Sequence, residues 1–100
     1  MSWPFNDPEN RAAMTTRDVM CEREPILLVT HDEDDGCWQF ISASGAIYER
    51  AMMVCLREVV EIDSSLRELA DLPRGWEATR AGPGAPWVRQ PQPPPAPEDA

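Results

Sequence analysis

The stretch HDEDDGC, His31 to Cys37, gathers an imidazole, four carboxylates and a thiol within seven residues. Three chemistries use such groups. A transition metal takes two to four converging imidazole, thiolate or carboxylate ligands. This chain has one histidine, and Cys21, Cys37 and Cys55 show no C-x-x-C spacing. Calcium in an EF-hand loop takes acids in alternation and a glutamate at position twelve. Here the acids are consecutive, and the twelfth residue counted from Asp32 is Ala43. A Cys–His nucleophile needs a thiolate held by positive charge. Asp32, Glu33, Asp34 and Asp35 favour an imidazolium at His31 but work against a thiolate at Cys37. The residue types point first to a water-facing hairpin turn, then to an acidic recognition loop. No cofactor and no metal set is expected. The competing reading is a small ligand- or metal-binding domain, or an enzyme, that uses His31 and Cys37.

Other catalytic signatures are missing. Ser42, Ser44 and Gly45 do not make a G-x-S-x-G elbow, and no P-loop or G-x-G-x-x-G occurs. A second candidate surface combines Trp76, Arg80, Trp87 and Arg89. Tryptophan with arginine is the composition of an interface hot spot. It is equally that of a solvent-facing cross-strand pair.

Charge narrows the partners. The 100 residues carry a net charge of −9, with no lysine and nine arginines. Such a chain repels phosphate backbones, so nucleic acid is not expected. A basic protein partner would be steered toward it. No apolar run approaches the roughly 20 residues that span a bilayer. The start, MSWPFNDPENR, lacks the basic and apolar regions of a secretory signal. Three widely spaced cysteines with no export signal imply reduced thiols and a cytoplasmic location. Length predicts one domain, monomeric or weakly homodimeric.

These candidates need elements to hold them. Residues 1–14 read as a flexible tail, from which Trp3 and Phe5 tuck onto the domain. TTRDVM predicts a helical turn capped by Thr15 or Thr16. ILLVTH and CWQFIS predict a hairpin around the acidic turn, with Trp38 in the core. Met52, Cys55, Leu56, Val59 and Val60 fall at helical spacing and predict a helix over 49–61. SLRE, Ser65 to Glu68, reads as a capping box opening a second helix that points Leu66 and Leu69 inward. GWEATR and PWVRQ predict two more strands, with Trp76 facing Trp87 across the pair. Residues 91–100 read as a disordered, Pro-rich acidic tail. The order β-β-α-α-β-β predicts a single α+β domain over 15–90. It has an antiparallel sheet of about four strands and helices on one face.

Two blocks of this pattern resemble a known group. DDGCWQFIS supplies Asp35, Gly36, Trp38, Phe40 and Ser42, and DLPRGWEATR supplies Asp71, Pro73, Gly75 and Arg80. Together they resemble a small uncharacterised bacterial family similar to the immunity protein 33-like type of polymorphic toxin systems. The likeness runs from about Ile26 to Arg89. It implies a non-catalytic, protein-binding, toxin-neutralising role and transfers no active-site residue. One departure stands out: that family places Gly directly before Trp, and here Cys37 intervenes. An extra strand residue either reverses side-chain direction or forms a bulge.

Overall fold

The computed structural model describes residues 2–93. In chain order the elements are β1 (Ala12–Thr16), α1 (Arg17–Met20), β2 (Ile26–His31), β3 (Trp38–Ser42), β4 (Ala51–Cys55), α2 (Leu56–Ile62), β5 (Trp76–Thr79) and β6 (Val88–Pro91). Turns of 3-10 helix cover Tyr48–Arg50 and Ser64–Leu69. All six strands form one sheet in the order β4-β1-β3-β2-β5-β6. Strands β1 and β3 run parallel, and every other neighbouring pair is antiparallel. The molecule is thus α+β with a six-stranded mixed sheet, not the four antiparallel strands expected.

The two extra strands come from segments whose local signals mislead. β1 lies where a tail was expected and runs into the expected helical turn, which forms over Arg17–Met20 with Thr16 at its N-cap position but without a side-chain cap bond. Ala12–Thr16 pairs with β4 along its whole length, and Ala13 and Thr15 are fully buried. The tail is not free either. Phe5 packs edge-on against Trp38 with ring centroids 5.3 Å apart, and Trp3 packs against Phe5. The expected helix over 49–61 is half strand. Ala51–Cys55 extends as β4, and only Leu56–Ile62 is helical. The bend has a local cause: the Glu58 carboxylate accepts from the Cys55 backbone N–H at 2.9 Å, which opens the helix after Cys55. The helical spacing is real for Leu56, Val59 and Val60, all buried.

The second helix is a 3-10 run, Ser64–Leu69. It is capped by Asp63, whose Oδ1 accepts from the Ser65 N–H, and not by Ser65 as the box suggested. Leu66 and Leu69 do point inward. At the other end, Trp76 pairs with Pro91 and not with Trp87, which lies just outside β6. Pro91 belongs to that strand, so the ordered chain runs past the expected boundary at 90. The remainder of the expected tail, from residue 94, lies outside the described residues.

Alternation then divides the sheet into two faces. Ala13, Trp38, Phe40, Val29 and Ala78 join Leu56, Val59, Leu66, Leu69 and Leu72 in one core cluster. The other face presents Met14, Met53, Gln39, Ile41, Leu28 and Thr30, and none of these belongs to that cluster. Cys37 introduces no bulge. His31 to Leu28 pair in step with Trp38 to Ile41, and the irregularity falls at the far end, between Ile26 and Leu28.

Candidate functional site

The acidic turn is built by its own backbone. Asp32 N–H donates to Cys37 O at 2.9 Å, and Gly36 N–H donates to Asp32 O at 3.0 Å. Asp35 Oδ1 accepts from the Cys37 N–H at 2.9 Å, an Asx bond that tightens the return into β3. Gly36 sits at φ +71, where a side chain is disfavoured. Two outside groups brace the turn: Arg11 donates to Asp35 O at 2.9 Å, and Gln39 donates to Asp32 Oδ2 at 2.8 Å.

The turn also locks to the PRG loop before β5. Gly75 N–H donates to His31 O at 2.7 Å, and Gln92 N–H donates to Gly75 O at 2.8 Å. The fit is reciprocal. A methyl group on Gly36 would lie 2.6 Å from the Arg74 guanidinium, and one on Gly75 would lie 2.5 Å from Glu33 Oε1. Each loop therefore needs a glycine where the other lays down a charged side chain. Asp32, Glu33, Asp34 and Asp35 all line one open recess of about 470 Å³, closed by Gly75, Gln92 and Pro93.

Beneath the turn, His31 is held and not free. Its ring stacks on Trp38 at 3.9 Å between centroids, and its Nδ1–H donates to Leu72 O at 2.7 Å. A carbonyl only accepts, so that bond places the proton on Nδ1. Trp38 Nε1–H donates to Asp7 Oδ2 at 2.7 Å, which ties the N-terminal segment to the same corner. A second recess of about 360 Å³ opens there, lined by Asp7, His31, Asp71 and Arg74 among others. Cys37 precedes the stacked tryptophan by one residue, so it faces away from the imidazole. Burial raises the Cys37 thiol's pKa, Asp35 and Asp32 add to that, and Arg11 and the Met14 backbone offset it only in part. A thiol kept protonated is a poor nucleophile. His31 and Cys37 are therefore adjacent in the chain's pattern but do not converge.

The tryptophan–arginine set divides. Arg80 is buried and spent on the interior: Nε–H donates to Ile26 O at 2.9 Å, Nη1–H to Ser65 Oγ at 3.1 Å, and Nη2–H to Asp63 Oδ2 at 2.6 Å. Trp87 lies over its guanidinium, 4.3 Å from carbon to ring centre. Arg80 is thus a structural residue, not one open to a partner. Burial pushes the Asp63 carboxyl up, but the bonds from Ser65 and Arg80 outweigh it and hold it below the usual aspartate range. Arg89 is exposed and grips Asp71 at 2.8 Å and Glu68 O at 2.7 Å. Trp76 is half-buried against the core. The four residues do not form one exposed hot spot.

Sequence reasoning missed Arg74, Gly75 and Gln92 as parts of the acidic recess. The sequence shows Gly75 only as the start of the GWEATR strand and as part of the DLPRGWEATR block, and its contact with Glu33 depends on strand pairing. It also missed Asp18, Glu22 and Glu24, whose carboxylate oxygens come within 4.8 Å of one another. Arg50 already supplies a cation there, at 2.8 Å from Asp18 and 2.5 Å from Glu22. Among the described residues no helix is long and apolar enough to cross a membrane. No family model, no curated protein and no solved structure matches the chain.

Proposed function

We propose that this chain is a non-catalytic protein-binding module whose acidic turn receives a basic side chain of a partner protein, in the manner of a toxin-neutralising immunity protein. One observation carries the reading. Among the described residues, Asp18, Glu22, Glu61, Asp63 and Asp71 each have an arginine partner, whereas Asp32, Glu33, Asp34 and Asp35 have none. Four carboxylates converge on one open recess, on a turn already fixed by its backbone and by two glycine contacts. Little ordering entropy remains to be lost on binding. An arginine or lysine entering the recess gains several acceptors at once. The net charge of −9 speeds the encounter with a basic protein and disfavours nucleic acid. Three free cysteines fit a reducing, cytoplasmic setting.

The test is retention of a partner from the native lysate by wild type and by a variant carrying Asp32→Asn, Glu33→Gln, Asp34→Asn and Asp35→Asn. A basic protein held by wild type, released by moderate salt and lost with the variant is the expected outcome. Equal retention by both moves the binding surface elsewhere. Stoichiometric zinc or iron in the purified protein would favour the ligand- or metal-binding alternative at His31 and Cys37.

A further inference from the structure

The sheet face away from the core carries a small recess of about 190 Å³. Met14 and Thr16 of β1 and Gln39 and Ile41 of β3 line it, together with Ile47 and Tyr48 from the β3–β4 connection. Alternation along β1 puts the Thr16 side chain on the same face as Met14. Thr16 is 1% exposed, and its hydroxyl has no hydrogen-bond partner. A buried polar group left in that state is costly, so the site is incomplete as it stands. None of the residues lining this recess is charged. The acidic recess, the one at His31 and those at Arg80 and Arg67 all include charged side chains. The connection beside the recess is fixed at its ends and little packed between. Ser44 Oγ–H donates to Glu24 Oε1 at 2.8 Å, and Arg50 Nε–H donates to Asp18 Oδ1 at 2.8 Å. Between these two anchors, Ile47 and Tyr48 are 42% and 88% exposed.

We propose that this recess binds a neutral small molecule the size of a single ring, with an apolar body and one hydrogen-bonding oxygen that meets the Thr16 hydroxyl. Volume sets the size. An apolar cavity of roughly 150 Å³ takes up benzene, whereas sites for drug-sized ligands begin near about 300 Å³. Charge sets the class. An anion would meet the field of a chain of net charge −9, and a cation would find no carboxylate among the lining residues. Water is a poor occupant, because a buried water needs about two to four polar partners. Met14, Ile41 and Ile47 are apolar, and Gln39 spends its amide N–H on Asp32. An aromatic body suits the walls, since the Met14 thioether and the Tyr48 ring both make favourable contacts with rings. Its oxygen would complete the one buried polar group that the fold leaves open here. This binding does not rest on the acidic turn's receiving a protein partner, because those carboxylates line a different recess.

Benzyl alcohol is the probe, with benzoate as its charged analogue and toluene as the analogue that lacks the oxygen. Methyl resonances of the full chain, labelled at methionine and isoleucine, follow each titration. Benzyl alcohol should give saturable shifts at Met14, Ile41 and Ile47, and benzoate should give none. Thr16→Val keeps the shape and removes the hydroxyl, so no polar group is left without a partner and melting should not fall below wild type. In that variant the affinity for benzyl alcohol relative to toluene should drop roughly fivefold, the share of one net hydrogen bond. Taking the ratio to toluene within each protein cancels any change in packing. A further measurement needs no substitution: nuclear Overhauser contacts from the benzyl ring to the Met14 methyl in wild type. Shifts that never saturate with benzyl alcohol, equal binding of benzoate, an unchanged alcohol-to-toluene ratio in Thr16→Val, or a missing Met14 contact would each overturn the inference.

Discussion

Arg80 and the acidic turn are two places where this chain concentrates charge near its sheet, and they are organised in opposite ways. Arg80 lies inside, and its donors are assigned to Ile26 O, Ser65 Oγ and Asp63 Oδ2. Trp87 seals it from above. In the turn the backbone N–H groups of Asp32, Gly36 and Cys37 close the loop, but among the described residues the carboxylates reach only neutral groups: Gln39, Gln92 and the Cys37 N–H. The first arrangement stabilises the fold and offers nothing to a partner. The second costs the fold little and leaves unpaired negative charge facing water. Both carry residues of the motif blocks, so motif membership alone does not separate structure from function.

The comparison breaks most sharply at Arg80. Arg80→Met keeps the bulk but leaves Asp63 Oδ2 and Ile26 O without their donors, although Ser65 still donates to Asp63 Oδ1. Removing one partner of a buried ion pair costs about 3–5 kcal/mol. Urea unfolding should show a loss of that order, whatever happens at the acidic turn. A loss below about 1 kcal/mol would mean that water replaces the guanidinium, as at a surface pair. The Arg80 cluster would then be as open as the turn.

A smaller effect follows from Asp63. Its carboxyl titrates below the usual range in the folded protein. A depressed folded pKa contributes stability above the unfolded value, about 3.9 for aspartate. That contribution is lost as pH falls through the folded value. Stability of wild type should therefore decline on acidification below about pH 4. In Arg80→Met, one of the groups that lowers Asp63 is gone, so the decline from that variant's own plateau should be shallower. An equally steep decline in both proteins would assign the acid sensitivity to other carboxylates.

How much of this was legible in the sequence differs by element. The hairpin was readable because branched residues in ILLVTH leave one structure open, and because DDG demands a turn. β1 and β4 were not readable. AMMVC has no alternation to betray a strand, and it runs directly into a true helical spacing at Leu56, Val59 and Val60. β1 is stabilised mainly by partners distant in sequence, Met52 and Met53 across from Thr15 and Met14. Local propensity carries no trace of such pairing. For the site, the acids were visible, but the cradle was not. Gly75 meets Glu33 only because β5 lies beside β2, and the pairing of Trp76 with His31 sets that distance. Arg80 looked like an exposed hot-spot residue because composition does not report burial.

The smallest stability effect should belong to the turn itself. Asp32→Asn, Glu33→Gln, Asp34→Asn and Asp35→Asn replace four carboxylates with amides of nearly the same shape. Each amide keeps one carbonyl oxygen. At position 35 that oxygen can still accept from the Cys37 N–H, and at position 32 it can still accept from Gln39. Only the long contact from Gln92 to Asp32, at 3.4 Å, loses its acceptor. Against that, four like charges on consecutive residues stop repelling one another. The two terms oppose and both are small, so the variant should unfold within about 0.5 kcal/mol of wild type. A stability gain at low salt that fades as salt rises would sharpen the contrast with Arg80, because it would show the native acids retained at a cost to the fold. A loss above about 2 kcal/mol would reverse it. The carboxylates would then be structural acceptors like Asp63, and the recess they line would no longer be a place kept open for a basic partner.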